Sequence, residues 1–349
     1  MSLRVGLPPA SQVTAAGQAQ KPQPSSVEFA PLPAPTGPAP YRLSTAALDV
    51  APASPRVFHA IGDSGGVLVP TYQQYVADAM VADLAAHPEV AFTYHVGDVV
   101  YFFGDEQLYT NQFYEPYVNY NRPIVAIPGN HDGAGSPSLA GFVENFCAAT
   151  AHVDPAAEEY NRDTITQPNV YWTLDDPAVT IIGLYSNVPS GGVIEPDQQA
   201  WLVEEIREAP LDVPLIVALH HPPYSCDAMH GGSEKMGALL DDSFVSAGRW
   251  PSLVLSGHVH NYQRFTRTVH EGHECAYIVC GASGYHNTHS MASDATPGLQ
   301  ATADTVLDAF DSSQYGFLRL TVNGSTISGE YVGVSRDGSV TASVDIFTC

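Results

Sequence analysis

Five short polar clusters, each directly after an apolar run, hold the residues of this chain that could do chemistry. "RVFHAI" runs into Gly62-Asp63, "AFTYHV" into Gly97-Asp98, "IVAIP" into Gly129-Asn130-His131-Asp132, "PLIVAL" into His220-His221, and "SLVLS" into Gly257-His258-Val259-His260. Carboxylate, amide and imidazole donors without a thiolate suit iron, zinc or manganese rather than an iron–sulfur cluster. The set is too large for one ion. A two-metal site about 3.5 to 4 Å across needs a bridging group and roughly three more ligands per ion, and these clusters nearly fill that requirement. Singly, each cluster has a structural alternative. A Gly-Asp pair after a strand commonly makes a turn or caps a helix, and Asn130 could simply tolerate a left-handed turn. Isolated histidines are usually satisfied structural residues, and His59, His87, His95, His152, His270 and His273 are read that way. Repetition of one arrangement favours one shared site.

The apolar runs read as buried strands at 56–61, 91–96, 124–127, 179–184, 214–219, 252–256 and 276–280. A helix is expected over 72–87, with Tyr72, Tyr75, Val76, Ala79, Met80 and Leu84 near one face, and another from Asp197 to Glu208 behind Pro196. Strand–helix–strand succession implies parallel pairing, and loops at the carboxyl ends of parallel strands gather on one edge of the sheet. Strands at 316–322, 326–334 and 339–347, joined by "NGS" and "RDGS" turns, give the chain an antiparallel ending. Two packed sheets flanked by helices accommodate both halves.

Bulk properties narrow the function classes. The 349 residues carry 13 basic against 37 acidic side chains, a formal net charge of −24, and the basic ones form no cluster able to track a phosphate backbone. Nucleic acid is therefore not an expected partner, and an anionic substrate would need strong local positive charge, which a metal centre could supply. No apolar run is long enough to span a membrane, and the opening "MSLRVGLPPASQV" lacks the apolar core of a secretory signal. The five cysteines show no CxxC spacing, which leaves one or two bridges open. Residues 21–40 contain seven prolines, so 1–45 reads as a proline-rich arm and 46–349 as the folded domain.

The ordered motifs "GDSG" (62–65), "GDVVY" (97–101), "GNHD" (129–132), "VALHHP" (217–222) and "GHVHNYQR" (257–264) resemble those of the calcineurin-like metallophosphoesterases, and more narrowly the purple acid phosphatases. The resemblance runs from about residue 56 to "CGASG" at 280–284; "GNHD" and "GHVHNYQR" are its specific parts and "GDSG" is weak alone. It implies an α/β (α+β) four-layer sandwich of two mixed β-sheets flanked by helices. It also implies that Asp63, Tyr101 and His260 hold one metal, that Asn130, His220 and His258 hold the second, and that Asp98 bridges them. His131 is the implied catalytic histidine beside the phosphate. Asp132 would orient His131 or a neighbour, and the family spacing selects His220 over His221, which then supports the site from behind or lies at its rim. The "MHGG" stretch resembles a histidine–glycine pair that contacts substrate, with a gap one residue longer, so His230 is a second catalytic candidate beside its reading as a loop histidine.

Much of the wider superfamily reads Asp-x-His in the first motif, whereas here the third position is Gly65. Tyr101, three residues after Asp98, stands where a phenolate could fill that vacancy, while Tyr109 and Phe103 read as packing residues. A phenolate favours Fe(III) at the Tyr101 site, with Fe(II), Zn or Mn as the second ion. The expected activity is hydrolysis of a small-molecule phosphate monoester by a metal-bound hydroxide, at acidic pH. A phosphodiesterase or nucleotide hydrolase on the same site is one alternative, because the substrate-selecting loops 101–122, 133–169 and 223–250 lie outside the motifs. A non-catalytic metal-binding protein is the other; it predicts a lost ligand, and none is lost at the matched positions. The resemblance favours an extracytoplasmic location, while oligomeric state is left open.

Overall fold

The computed structural model describes residues 31–186, 192–269 and 272–349; His270 lies outside the described residues. The chain forms two sheets. Its strands are β1 (Arg42–Ser44), β2 (Arg56–Ile61), β3 (Val90–His95), β4 (Ile124–Ala126), β5 (Trp172–Asp176), β6 (Val179–Gly183), β7 (Leu215–Ala218), β8 (Leu253–Ser256), β9 (Tyr262–Thr268), β10 (Glu274–Cys280), β11 (Leu299–Gln300), β12 (Thr305–Asp311), β13 (Tyr315–Asn323), β14 (Thr326–Val334) and β15 (Val340–Thr348). The larger sheet has the order β1-β5-β6-β7-β8-β10-β9-β12-β11, and the smaller one β15-β14-β13-β2-β3-β4. Parallel pairing holds for β2-β3-β4 and for β6-β7-β8-β10, so their carboxyl ends lie on a common edge. The antiparallel ending joins the smaller sheet where β13 pairs with β2.

Period-2 alternation divides these strands between layers. Phe58 and Ala60 of β2 with Phe92 and Tyr94 of β3 meet Leu174, Ile181, Ile216 and Leu255 of the larger sheet in the central core. Val57 and Ile61 point the other way, against Val76 and Met80 of helix α1 (Thr71–Ala86) and Phe142 of α2 (Ala140–Phe146). On the far side, Leu202 and Ile206 of α3 (Pro196–Glu208) and Leu240 and Phe244 of α4 (Glu234–Ala247) cover Val217 and Val254. The result is the expected four-layer α/β sandwich of two mixed sheets.

Several elements depart from the sequence reading. Residues 42–44, expected as the end of the arm, are β1 and pair in parallel with β5. Strands β5, β9 and β12 and helices α2 and α4 were not anticipated. Phe103, expected to pack, is 61% exposed, whereas Tyr109 is fully buried. The five cysteines are all unpaired, and no described helix is long and apolar enough to cross a membrane.

The sheets are also joined by a buried ion pair. Arg56 at the start of β2 meets Asp176 at the end of β5 at 2.8 Å, with side-chain exposures of 2% and 0%. Asp176 also accepts from the Thr45 hydroxyl (2.8 Å) and the Ala178 amide (2.9 Å). Removing one partner of such a pair leaves a buried charge uncompensated. Asp176→Ala is therefore expected to lower unfolding free energy by about 3–5 kcal/mol in a urea titration, and a second change, Arg56→Met, to recover most of the loss.

Candidate metal centre

Left-handed turns at the strand ends bring the polar clusters together. Asp63, Asp98 and His258 adopt φ of 53°, 56° and 67°, a region that disfavours side-chain-bearing residues. Backbone of this kind persists where its surroundings over-determine it, and it concentrates at functional sites. Here the surroundings are backbone hydrogen bonds between loops. The Asp63 amide donates to the Gly97 carbonyl (2.9 Å), the Ser64 amide to the Asp98 carbonyl (3.2 Å), and the Gly257 amide to the His220 carbonyl (3.0 Å). Two further bonds tie one sheet edge to the other. The His258 amide donates to Asp63 Oδ2 (2.8 Å), and His220 donates its Nδ1–H to the Val96 carbonyl (2.9 Å), which leaves His220 Nε2 facing inward.

Seven inward-facing atoms fall into two sets. Asp63 Oδ1, Tyr101 Oη and His260 Nε2 stand 3.3 to 3.5 Å from one another. Asn130 Oδ1 lies 3.1 Å from His220 Nε2 and 2.9 Å from His258 Nδ1, and Asp98 Oδ2 lies 3.3 Å from His220 Nε2. Ligands bound at about 2.0–2.2 Å and subtending 90–110° are themselves separated by about 3.0–3.5 Å, so both sets have the spacing of an ion's coordination shell. Asp63 Oδ1 and His220 Nε2, one from each set, are 3.9 Å apart. Asp63, Asp98 and His220 form the compact carboxylate–imidazole group among the described residues. Oxygen and imidazole donors fit iron, zinc or manganese, as anticipated from composition.

The electrostatics of this cage couple its carboxylates to its imidazoles. Burial pushes the Asp63 carboxyl up to about 7, against the opposing pull of His220. Asp98 is equally buried, yet His220 and His131 opposite it hold it below the ordinary carboxylate range. His220 also resists the lowering effect of burial, because Asp98 and Asp63 raise it to about 9. Burial and then the charges of Asp98 and Asp63 drive the Tyr101 phenol well above its usual value, so only a strong positive charge beside it could draw off the proton. Gly65 explains how that ring fits. A Cβ at residue 65 would lie 2.8 Å from Tyr101 Cδ2, so the phenol occupies the space a side chain at Gly65 would need.

The remaining expected residues surround the cage. His131 is half-buried; its amide donates to Asp98 Oδ1 (2.8 Å) and its Nδ1–H to the Phe102 carbonyl (2.9 Å). Asp132 does not reach the His131 ring. Its carboxylate accepts instead from the amides of Val99 and Val100 (3.1 Å each) and Gly129 (2.8 Å), so it ties the loop bearing Asp98 to the one bearing Asn130. His221 is buried behind His258, with ring centroids 4.4 Å apart and Nδ1 2.7 Å from the Ser186 hydroxyl. His230 stacks on His258 at 4.9 Å.

Three neighbours of the cage escaped sequence reading. His95, taken as structural, accepts the Gly97 amide at Nδ1 (3.1 Å) and meets the Ser64 hydroxyl at Nε2 (2.8 Å), bracing two ligand loops from below. Its place directly before "VGD" was the available signal. Tyr285 packs on Tyr101 and His260 at 4.2 and 4.5 Å, and buried His289 packs on His260 at 4.3 Å. Both follow β10 in "CGASGYHNTHS", a strand-end polar cluster like the other five, and that was their signal.

The chain is similar to known proteins in sequence and in fold. The family model for calcineurin-like phosphoesterases matches residues 57–262. Purple acid phosphatase 21 of Arabidopsis thaliana is 28% identical over 154 residues, 41% of this chain and 31% of that protein. A probable cyclic nucleotide phosphodiesterase of Rhodopseudomonas palustris is 25% identical over 186 residues, covering 50% of this chain and 58% of the relative. In fold, the chain superposes on a purple acid phosphatase from yellow lupin (Lupinus luteus) seeds with a TM-score of 0.61 at 17% identity, over 85% of this chain and 54% of that one. The matches thus span less than two thirds of each of these relatives. The chain belongs to the calcineurin-like phosphoesterase family.

Proposed function

We propose that this protein is a binuclear-metal phosphatase that hydrolyses phosphate monoesters, with Asp63, Tyr101 and His260 holding Fe(III), Asn130, His220 and His258 holding Fe(II), Zn or Mn, and Asp98 shared. The carrying observation is the gathering of seven donor atoms into two sets at coordination spacing. Ions bound there would acidify water and polarise the phosphoryl oxygens. The protein's own groups do the rest. His131, with its Nδ1–H fixed on the Phe102 carbonyl, would act as an imidazolium, giving the second proton from Nε2 to the leaving-group oxygen and returning to the neutral Nδ1–H form. His230, stacked on His258, would face the phosphoryl oxygens. A diesterase on the same cage is a second reading, favoured by the cyclic nucleotide phosphodiesterase among the relatives.

Metal analysis and a visible spectrum of the purified protein test the proposal. About two ions per chain and a broad charge-transfer band are expected, and Tyr101→Phe is expected to abolish the band while leaving the unfolding temperature within a few degrees. A colourless, iron-free protein would overturn the Fe(III) assignment. Rates on an aryl phosphate monoester and its diester decide between the two readings: the monoester is expected to be hydrolysed at least about tenfold faster.

A further inference from the structure

Behind the cage lies a buried carboxylate to which the mechanism above assigns no role. Asp227 has no solvent exposure, and no lysine or arginine pairs with it among the described residues. Its Oδ2 accepts the amides of Met229 (2.9 Å) and His230 (2.6 Å), closing the turn that carries His230. Its Oδ1 accepts Asn261 Nδ2 (3.3 Å), from the residue after the ligand His260. His289 Nδ1 stands 3.5 Å from Oδ2, and that imidazole lies between the rings of His230 (4.8 Å) and His260 (4.3 Å).

Around this carboxylate, two loops and a strand are bound together. Asn261 Nδ2 also donates to the His289 carbonyl (3.2 Å), and the His289 amide to the His260 carbonyl (2.8 Å). Gln263, two residues on, accepts the Cys226 amide (2.7 Å) and donates to the Ser225 hydroxyl (3.1 Å), which in turn donates to the His230 carbonyl (3.0 Å). The Ala228 amide reaches the Ser290 carbonyl and the Ala292 amide the Cys226 carbonyl, at 2.9 and 2.8 Å. These contacts give the polar residues after His-x-His their purpose: Asn261 and Gln263 latch the His230 loop to the strand that starts at the metal ligands.

We infer that Asp227 is a positioning residue: it sets where the His230 imidazole stands relative to His258 and His260, and so acts on phosphate binding only through His230. This rests on the reading of His230 as a phosphate-facing group. The carboxylate is suited to the task because both of its oxygens accept. An amide at this position would aim its NH2 either at the two backbone donors or at Asn261, and one side of the latch would open.

A double-mutant cycle tests it, using D227N, H230A and D227N/H230A, each metal-loaded. The readouts are kcat/KM on an aryl phosphate, the dissociation constant of inorganic phosphate by calorimetry, and metal content. H230A is expected to lose about 10- to 100-fold in kcat/KM. D227N should lose by a similar factor, weaken phosphate binding in parallel and keep both ions, and the double variant should lie within about twofold of H230A. Losses that multiply, metal that leaves with D227N alone, or D227N at wild-type activity would overturn the inference and leave the phosphatase reading intact. H230A at wild-type activity would overturn the reading of His230 and this inference with it. If D227N does not fold, D227S, whose hydroxyl can still close the turn, is judged by the same outcomes. If neither folds, Asp227 is a folding determinant and the inference fails.

Discussion

Asp98→Ala is expected to lower kcat/KM by about four orders of magnitude or more and to reduce bound metal to below one ion per chain. The size follows from what converges on this side chain. One oxygen lies 3.3 Å from His220 Nε2 on the Asn130 side, and the other accepts the His131 amide at 2.8 Å. Truncation thus removes a proposed shared ligand and the anchor of a proposed proton donor together. Losing one electrostatic contact in an active site costs about 10²–10³ in rate, and here both ions are expected to be affected. Metal analysis and turnover measured on the same preparation check it, with an unchanged unfolding temperature showing that the fold survives. A variant that retained half its activity and both ions would refute the assignment of the cage.

Gly129→Ala is expected to cost about 10²-fold or more in turnover, with partial loss of metal. A Cβ at this position would stand 2.1 Å from Asp98 Oδ1 and 2.4 Å from Asp98 N. Neither atom can yield cheaply, because the Asp98 backbone is already in a left-handed turn and receives the Ser64 amide. The loop must move, and displacing reacting groups by about 1 Å can cost about 10²-fold. Gly324→Ala provides the contrast. It adds a methyl at positive φ (59°), a strain that Gly129 does not share, but with nothing within 4 Å, and should leave turnover unchanged. Equal activity of the two variants would show that the close approach at Gly129 does not matter.

The elements missed in the sequence were missed for identifiable reasons. β9 reads "YQRFTRT", too polar for a search based on apolar runs, because its charges are paired with neighbouring elements: Arg264 with Asp345 of β15 and Asp308 of β12, Arg267 with Asp241 of α4 and Asp304 before β12. Helix α4 carried a readable signal. Met236, Leu240, Ser243 and Phe244 share its buried face, Ser233 caps Met236 N, and Gly248 ends it at φ 74°. Its place inside a stretch read as a substrate-selecting loop hid it. β1 was hidden by the prolines before it, and its strand state depends on β5, some 130 residues away.

The sequence by itself determined the donor chemistry, the order of the five clusters and their placement after buried strands, because strand burial and ligand type are local properties that periodicity and composition record. It also paired Gly65 with Tyr101. Only the tertiary structure decided which atoms meet. The bond from the His258 amide to Asp63 Oδ2 spans 195 residues, and the left-handed backbones of Asp63, Asp98 and His258 follow from such long-range contacts. The same holds for Asp132, which braces two loops and leaves the His131 ring to the Phe102 carbonyl, and for Asp227 and His289, whose polar atoms are buried together. A buried polar group must find its partner wherever the packed chain supplies one, and no local pattern encodes where that is.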